Sequence, residues 1–199
     1  MLLLKSEEFM VILEADDPDI AELIVRYNRW RRIYGYAGEP PPDEADWDGG
    51  RLYFRFGYPY PDWWAYILEG TDDGYRVLRA STERSIAPVE SSMGIFARIK
   101  DAGKFMIYQV AESLRINCRL EPLSWKWDDA GLDPRVYADI QSDQVVNYSL
   151  RSNPHAYIIM TRGDMPYSHI LALSYDELDA ELLDGFPQTV TSRIDGELR

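Results

Sequence analysis

At 199 residues with 46% hydrophobic side chains, the chain is the size of one domain with a sizeable core. Thirty-four Asp and Glu against twenty-one Lys and Arg leave a formal charge of -13, which argues against nucleic acid or an anionic membrane as a partner of the bulk surface. The six Trp, fourteen Tyr and six Phe need a core, so the acid is mostly exterior and favours a basic partner.

In chain order, Met1 to Lys5 is an apolar start that stops at Ser6-Glu7-Glu8. It is too short for a signal peptide and reads as the beginning of a strand or helix. No run of eighteen apolar residues follows, so a cytoplasmic protein is expected. Asp17-Pro18 carries an N-cap and a first-turn proline, and Ile20, Leu23, Ile24, Tyr27 and Trp30 share one face; a helix over 18–34 is predicted, ended by Gly35 or Gly38. Glu39 to Gly50 holds five acids, three prolines, two glycines and no base, which predicts an exposed loop.

From Arg51 the period becomes two. Leu52, Phe54 and Phe56 alternate with Tyr53 and Arg55, and runs at Trp63 to Glu69 and Tyr75 to Ala80 flank the turn Thr71-Asp72-Asp73-Gly74. Three antiparallel strands over 51–81 are predicted. Pro88, Val89, Met93, Phe96, Ala97 and Lys100 follow helical spacing and predict a helix over 88–102, closed by Gly103. Lys104 to Arg115 is ambiguous and leans to helix on Tyr108, Ala111, Glu112 and Leu114.

An irregular stretch with Pro122, Trp125 and Trp127 follows. A second strand group is predicted at Val145 to Leu150, Ala156 to Thr161 and Ser168 to Ala172, broken by turns at Ser152-Asn153-Pro154 and Arg162-Gly163-Asp164. Ser174 and Glu177 have the spacing of a capping box, so a helix runs over 175–184 until Gly185 and Pro187. The whole reads as one α+β domain over 1–187 with two antiparallel strand groups, 51–81 and 145–172, and a weakly ordered tail over 188–199.

The acidic clusters fit solvated loops and first helical turns better than a catalytic pair, which needs one carboxyl with a raised pKa in a cleft. Asp43, Glu44, Asp46 and Asp48 miss the glycine of a calcium loop and sit behind stiff prolines. His155 and His169 lie far apart in sequence and each reads as a hydrogen-bonded structural residue, while the lone Cys118 reads as a buried, inert thiol. Neither a cofactor nor a metal site is expected. Half of the aromatic run Tyr53 to Tyr66 should face outward, where Tyr and Trp beside acids make good interface anchors; the competing reading is a two-sided core under helices.

The order of signals resembles a group of bacterial polymorphic-toxin immunity proteins, the family that includes the antitoxin of tuberculosis necrotizing toxin. The matching features are Tyr34-Gly35-Tyr36, Gly50-Arg51-Leu52-Tyr53-Phe54, the hairpin Tyr66-Ile67-Leu68 to Val77-Leu78, and the helix around Phe96 to Ile99. Leu114-Arg115 to Leu120-Pro122-Leu123 and Leu171-Ala172-Leu173-Ser174 complete the match, which spans 18–187. The resemblance implies a protein without catalysis of its own that binds a cognate, basic toxin domain and occludes its active site. The relative it points to further implies an NAD-consuming toxin.

The expected partner surface is Asp43, Glu44, Asp46, Trp47 and Asp48 with Tyr58, Tyr60 and Trp63, and Asp128 and Asp129 as a second patch. Two alternatives stand beside it. One is a hydrolase or small-ligand protein with a pocket between the strand groups, served by Glu69, His169 and Arg115; the other is a regulatory interaction module without a toxin.

Overall fold

A computed structural model describes residues 13–83, 87–142, 145–161 and 167–197. Six helices and one eight-stranded antiparallel sheet make a mixed α+β fold among these residues. The chain enters through α1 (Pro18–Ala37), where the Asp17 side chain accepts from Asp19 N–H at 2.8 Å and Gly38, at φ 83°, closes the helix in the left-handed region. Strands β1 (Asp46–Asp48), β2 (Arg51–Phe56), β3 (Trp64–Thr71) and β4 (Gly74–Ser81) follow as a meander. The 51–81 strands and their Asp72-Asp73 turn stand as predicted, while β1 is a short strand inside the segment expected to be loop throughout.

Residues 88–102 are not one helix. Val89–Phe96 is a strand, β5, and the helix α2 begins afterwards at Ile99 and runs to Asn117. The apolar spacing there was compatible with a helix, but Gly94 and Phe96 are buried with period two between β4 and a later strand, and Gly94 touches that strand so closely that a Cβ would meet the carbonyl of Ile159 at 3.0 Å. Tertiary pairing overrides the local pattern. The ambiguous 104–115 stretch is helical, within α2.

The stretch after Asn117 folds into α3 (Leu123–Ala130) and then the strand β6 (Val136–Ser142), neither foreseen. The reason for α3 lies far away in sequence: Glu112 of α2 accepts from the N–H groups of Leu123 and Ser124, both at 2.9 Å, and so caps the new helix from outside. Strands β7 (Val145–Leu150) and β8 (Asn153–Met160) then form the predicted second hairpin. The third predicted strand, 168–172, is instead α4 (Tyr167–Ala172). It cannot pair beside the preceding strand, because β8 already pairs with β5 on one side and β7 on the other. The predicted turn at 162–164 and the segment Met1 to Lys5 lie outside the described residues.

The capping box forms as read, with Ser174 and Glu177 bonding reciprocally at the start of α5 (Tyr175–Leu183). The segment expected to be a weakly ordered tail carries a helix, α6 (Gln188–Glu197), with Val190 and Ile194 buried. The two predicted strand groups are one sheet, ordered β1-β2-β3-β4-β5-β8-β7-β6, sealed by Gly94, Ile95 and Phe96 against Met160, Ile159 and Ile158.

Helices and sheet share one large core. Trp30 and Tyr27 of α1, Phe105 and Leu114 of α2, Trp127 of α3 and Leu178 of α5 join Leu52, Phe54, Leu68, Phe96 and Ile158 of the strands. Cys118, expected to be buried, is half-buried at the end of α2; burial, with Glu39 adding to it, raises its thiol pKa and disfavours the thiolate.

Gly103 marks the tightest point of this core. A Cβ there would run into the Tyr175 hydroxyl and lie 3.4 Å from Leu23 Cδ1. Gly103→Ala should therefore destabilise by about 1–3 kcal/mol although alanine is the better helix former by about 1 kcal/mol. The Tyr175 hydroxyl is buried without a hydrogen-bond partner, so Tyr175→Phe should restore most of that loss in the double variant, read as urea midpoints. Equal midpoints for single and double variants would contradict this packing.

Candidate interaction site

The sheet has a second face, away from the main core. Ala65, Ile67, Leu78 and Ala80 form a small buried cluster on it, flanked by Tyr53 and Trp63, and no helix residue among those described joins this cluster. Period two sends Leu52, Phe54 and Phe56 into the main core and Arg51, Tyr53 and Arg55 to this outer side.

Arg55 is the centre. It is only 8% exposed, lies 2.6 Å from Asp46 Oδ2 through Nη1, and has its guanidinium carbon 4.2 Å from the Tyr53 ring centroid and 4.8 Å from that of Tyr58. One cation thus holds two aromatic rings and one carboxylate in fixed places. Beside it, Arg51 grips Glu90 with two nitrogens at 3.1 and 2.8 Å and meets Glu69 at 2.9 Å, and Arg76 meets Glu69 at 3.3 Å. The three guanidinium groups face five carboxylates once Asp43 and Asp48 are counted, so the patch is net negative.

The acidic segment and the aromatic loop are tied together from below. Tyr27 of α1 donates to the Asp43 carbonyl at 2.7 Å, Arg31 Nε donates to the Pro42 carbonyl at 2.9 Å, and Asp43 N–H donates to the Arg55 carbonyl at 2.9 Å. The Asp43 carboxylate accepts from Tyr58 N–H at 2.9 Å and so fixes the loop between β2 and β3. Tyr58 packs edge-on against Trp63 with centroids 5.6 Å apart. Tyr58 is 50% exposed and Tyr60, in the same loop, 73%.

The structure therefore brings together Asp43, Asp46, Asp48, Tyr58 and Trp63, with Tyr60 at the rim. Four predicted site residues go elsewhere. Trp47 faces the other way and packs on the main core, because its pair partner is the buried Leu52. Glu44 reaches back toward Arg31 at 3.5 Å. Asp128 and Asp129 are exposed near the end of α3, a helix held by Trp127 stacking on Tyr108 and on His169. Arg55 and Arg51 were missing from the sequence-based site; their alternation with Leu52, Phe54 and Phe56 was the available signal.

The residues of the ligand-pocket alternative do not converge. Glu69 lies on the outer face, Arg115 is buried and donates to the carbonyls of Glu121, Leu182 and Asp184, and His169 bonds the Gly131 carbonyl at 2.9 Å from α4, not from a strand. The strand groups leave no gap, since β5 pairs with β8. His155 is exposed at the start of β8. Among the described residues no group of three or more His, Cys, Asp and Glu could hold a metal ion. On the helix side of the Tyr58 loop runs a groove of about 640 Å³, lined in part by Tyr34, Asp43, Phe56, Asp62 and Trp64. No helix among the described residues is long and apolar enough to cross a membrane.

No family model matches the chain, and no similar sequence is found among curated proteins. A solved structure with a similar fold is that of Rv3902c from M. tuberculosis, 15% identical, with 90% of this chain and 93% of that chain covered at a TM-score of 0.55. At that identity the likeness is one of fold.

Proposed function

We propose that this chain is an immunity protein that binds a cognate secreted toxin domain and covers its active site, docking through the outer sheet face around Arg55. The observation that carries this reading is the patch itself: two or more tyrosine rings presented outward, clamped by one buried arginine and surrounded by carboxylates in excess. Rigid rings lose little rotamer freedom on binding, and the negative excess with a chain charge of -13 speeds capture of a basic partner. The fold shared with a protein of M. tuberculosis supports the sequence resemblance to the antitoxin family. On this reading the chain has no catalysis of its own, and the toxin consumes NAD.

The test is to co-express the chain with the toxin domain encoded beside its gene. A 1:1 complex that survives purification, with the toxin's turnover abolished, is the expected result. Free toxin and free chain eluting apart, or a complex in which the toxin keeps full activity, would overturn the proposal.

A further inference from the structure

The groove of about 640 Å³ behind the Tyr58 loop has aromatic walls and unlike ends. Phe56 and Trp64 stack in it at 3.7 Å with their planes 9° apart, and Tyr66 meets both edge-on, which fixes the pair in place. Ile116, near the end of α2, lines the groove and is 56% exposed. Asp43 and Asp62 line it at the loop, and Arg79 lines it at β4, with its guanidinium carbon 5.5 Å from the Trp64 ring centroid. Asp43 N–H bonds the Arg55 carbonyl beside β2, so three strand spacings, about 14 Å, part Asp43 from Arg79. Charge is screened beyond about 8 Å at physiological salt, and the acidic and basic ends therefore act separately.

The two acids select the occupant. Neighbouring carboxylates have arginines of their own: Asp46 and Asp48 have Arg55, Glu69 and Glu90 have Arg51, and Glu44 has Arg31. Among the described residues Asp43 and Asp62 have no cation, and the Asp43 carboxylate accepts only from the Tyr58 N–H. Their charge is left for a cation from outside, whose aliphatic stem the rings beside them would shelter. We propose that the groove takes an extended segment of the toxin domain, with a lysine or arginine between Asp43 and Asp62 and an apolar residue against Ile116 and the Phe56–Trp64 stack. The inference rests on the toxin-binding reading and adds to it the kind of segment that is captured. The Tyr58 loop carries outward rings on one side and the acidic end of the groove on the other, so a domain seated on the rings reaches the groove over the loop.

Calorimetric titration of the full chain with the toxin domain encoded beside its gene tests this. Asp62→Asn, which keeps a residue type that tolerates the φ of 67° there, should weaken binding by about fivefold and flatten its salt dependence. Ile116→Ser should weaken it by about tenfold at unchanged salt dependence, while Val25→Ser, at an exposed site of α1, should leave affinity alone. All three positions are exposed, so the fold should stand, read as an unchanged thermal midpoint. A loss in Arg79→Gln with none in Asp62→Asn would mean an acidic segment, and wild-type affinity in Ile116→Ser would mean that nothing enters the groove. Either result overturns this proposal and leaves the toxin reading standing, whereas the absence of any complex overturns both.

Discussion

Asp179→Ala is expected to cost about 3 kcal/mol of stability, a large share of what a single domain has. Asp179 is 3% exposed on α5 and accepts from Arg26 Nη1 at 3.0 Å, Arg29 Nη1 at 2.6 Å and the buried Trp30 indole N–H at 2.9 Å. This carboxylate joins three donors of α1 to α5. Removing it leaves the indole N–H without an acceptor in the core, at about 1–3 kcal/mol, and two guanidinium groups short of a counter-charge. Those two are partly solvated, and Arg26 keeps Glu22 and Asp176, so the charge contribution is smaller than for a fully buried pair. Asp179→Asn keeps one acceptor and should lose about half as much. A urea midpoint lowered at unchanged slope is the expected reading. A loss under about 1 kcal/mol would mean that this joint does not hold α1 to α5.

The second large effect concerns binding. Tyr58→Ala should weaken the toxin complex by about 2 kcal/mol, roughly thirtyfold, at little cost to the fold, since the ring is half exposed. The loss should appear in the dissociation rate. Asp46→Asn with Asp48→Asn should act differently, slowing association and flattening its salt dependence, because these carboxylates are 60% and 71% exposed and steer more than they anchor. Arg55→Met tests the clamp: it removes the cation that holds Tyr53, Tyr58 and Asp46, so affinity should fall although Arg55 itself is nearly buried and touches little of a partner. Unchanged dissociation in Tyr58→Ala would remove this ring from the interface.

Sequence patterns carried those parts of the fold whose causes are local. The Asp17 cap, the hairpin around Asp72-Asp73 and the Ser174 capping box each depend on residues within a few positions, and each stands where it was read. The misread elements have distant causes. β5 exists because β4 and β8 flank it, α3 because Glu112 caps it, and 168–172 finds no place beside β8, whose two sides are taken by β5 and β7. The same division holds for the candidate site. The rings and acids of 43–63 were visible as composition, but which of them meet depends on Arg55, a residue that composition treats as one of many bases. Trp47 was misplaced for a smaller reason: a three-residue strand turned its ring to the core side.

The central claim is that the outer sheet face around Arg55 is where the partner sits. Amide hydrogen exchange on the purified chain, alone and in complex with the toxin domain, tests it most directly. The account predicts slowed exchange across 43–63, in β1, β2 and the Tyr58 loop, with α3 unchanged. Protection confined to α3 or to other helices, with 43–63 exchanging as in the free chain, would contradict it.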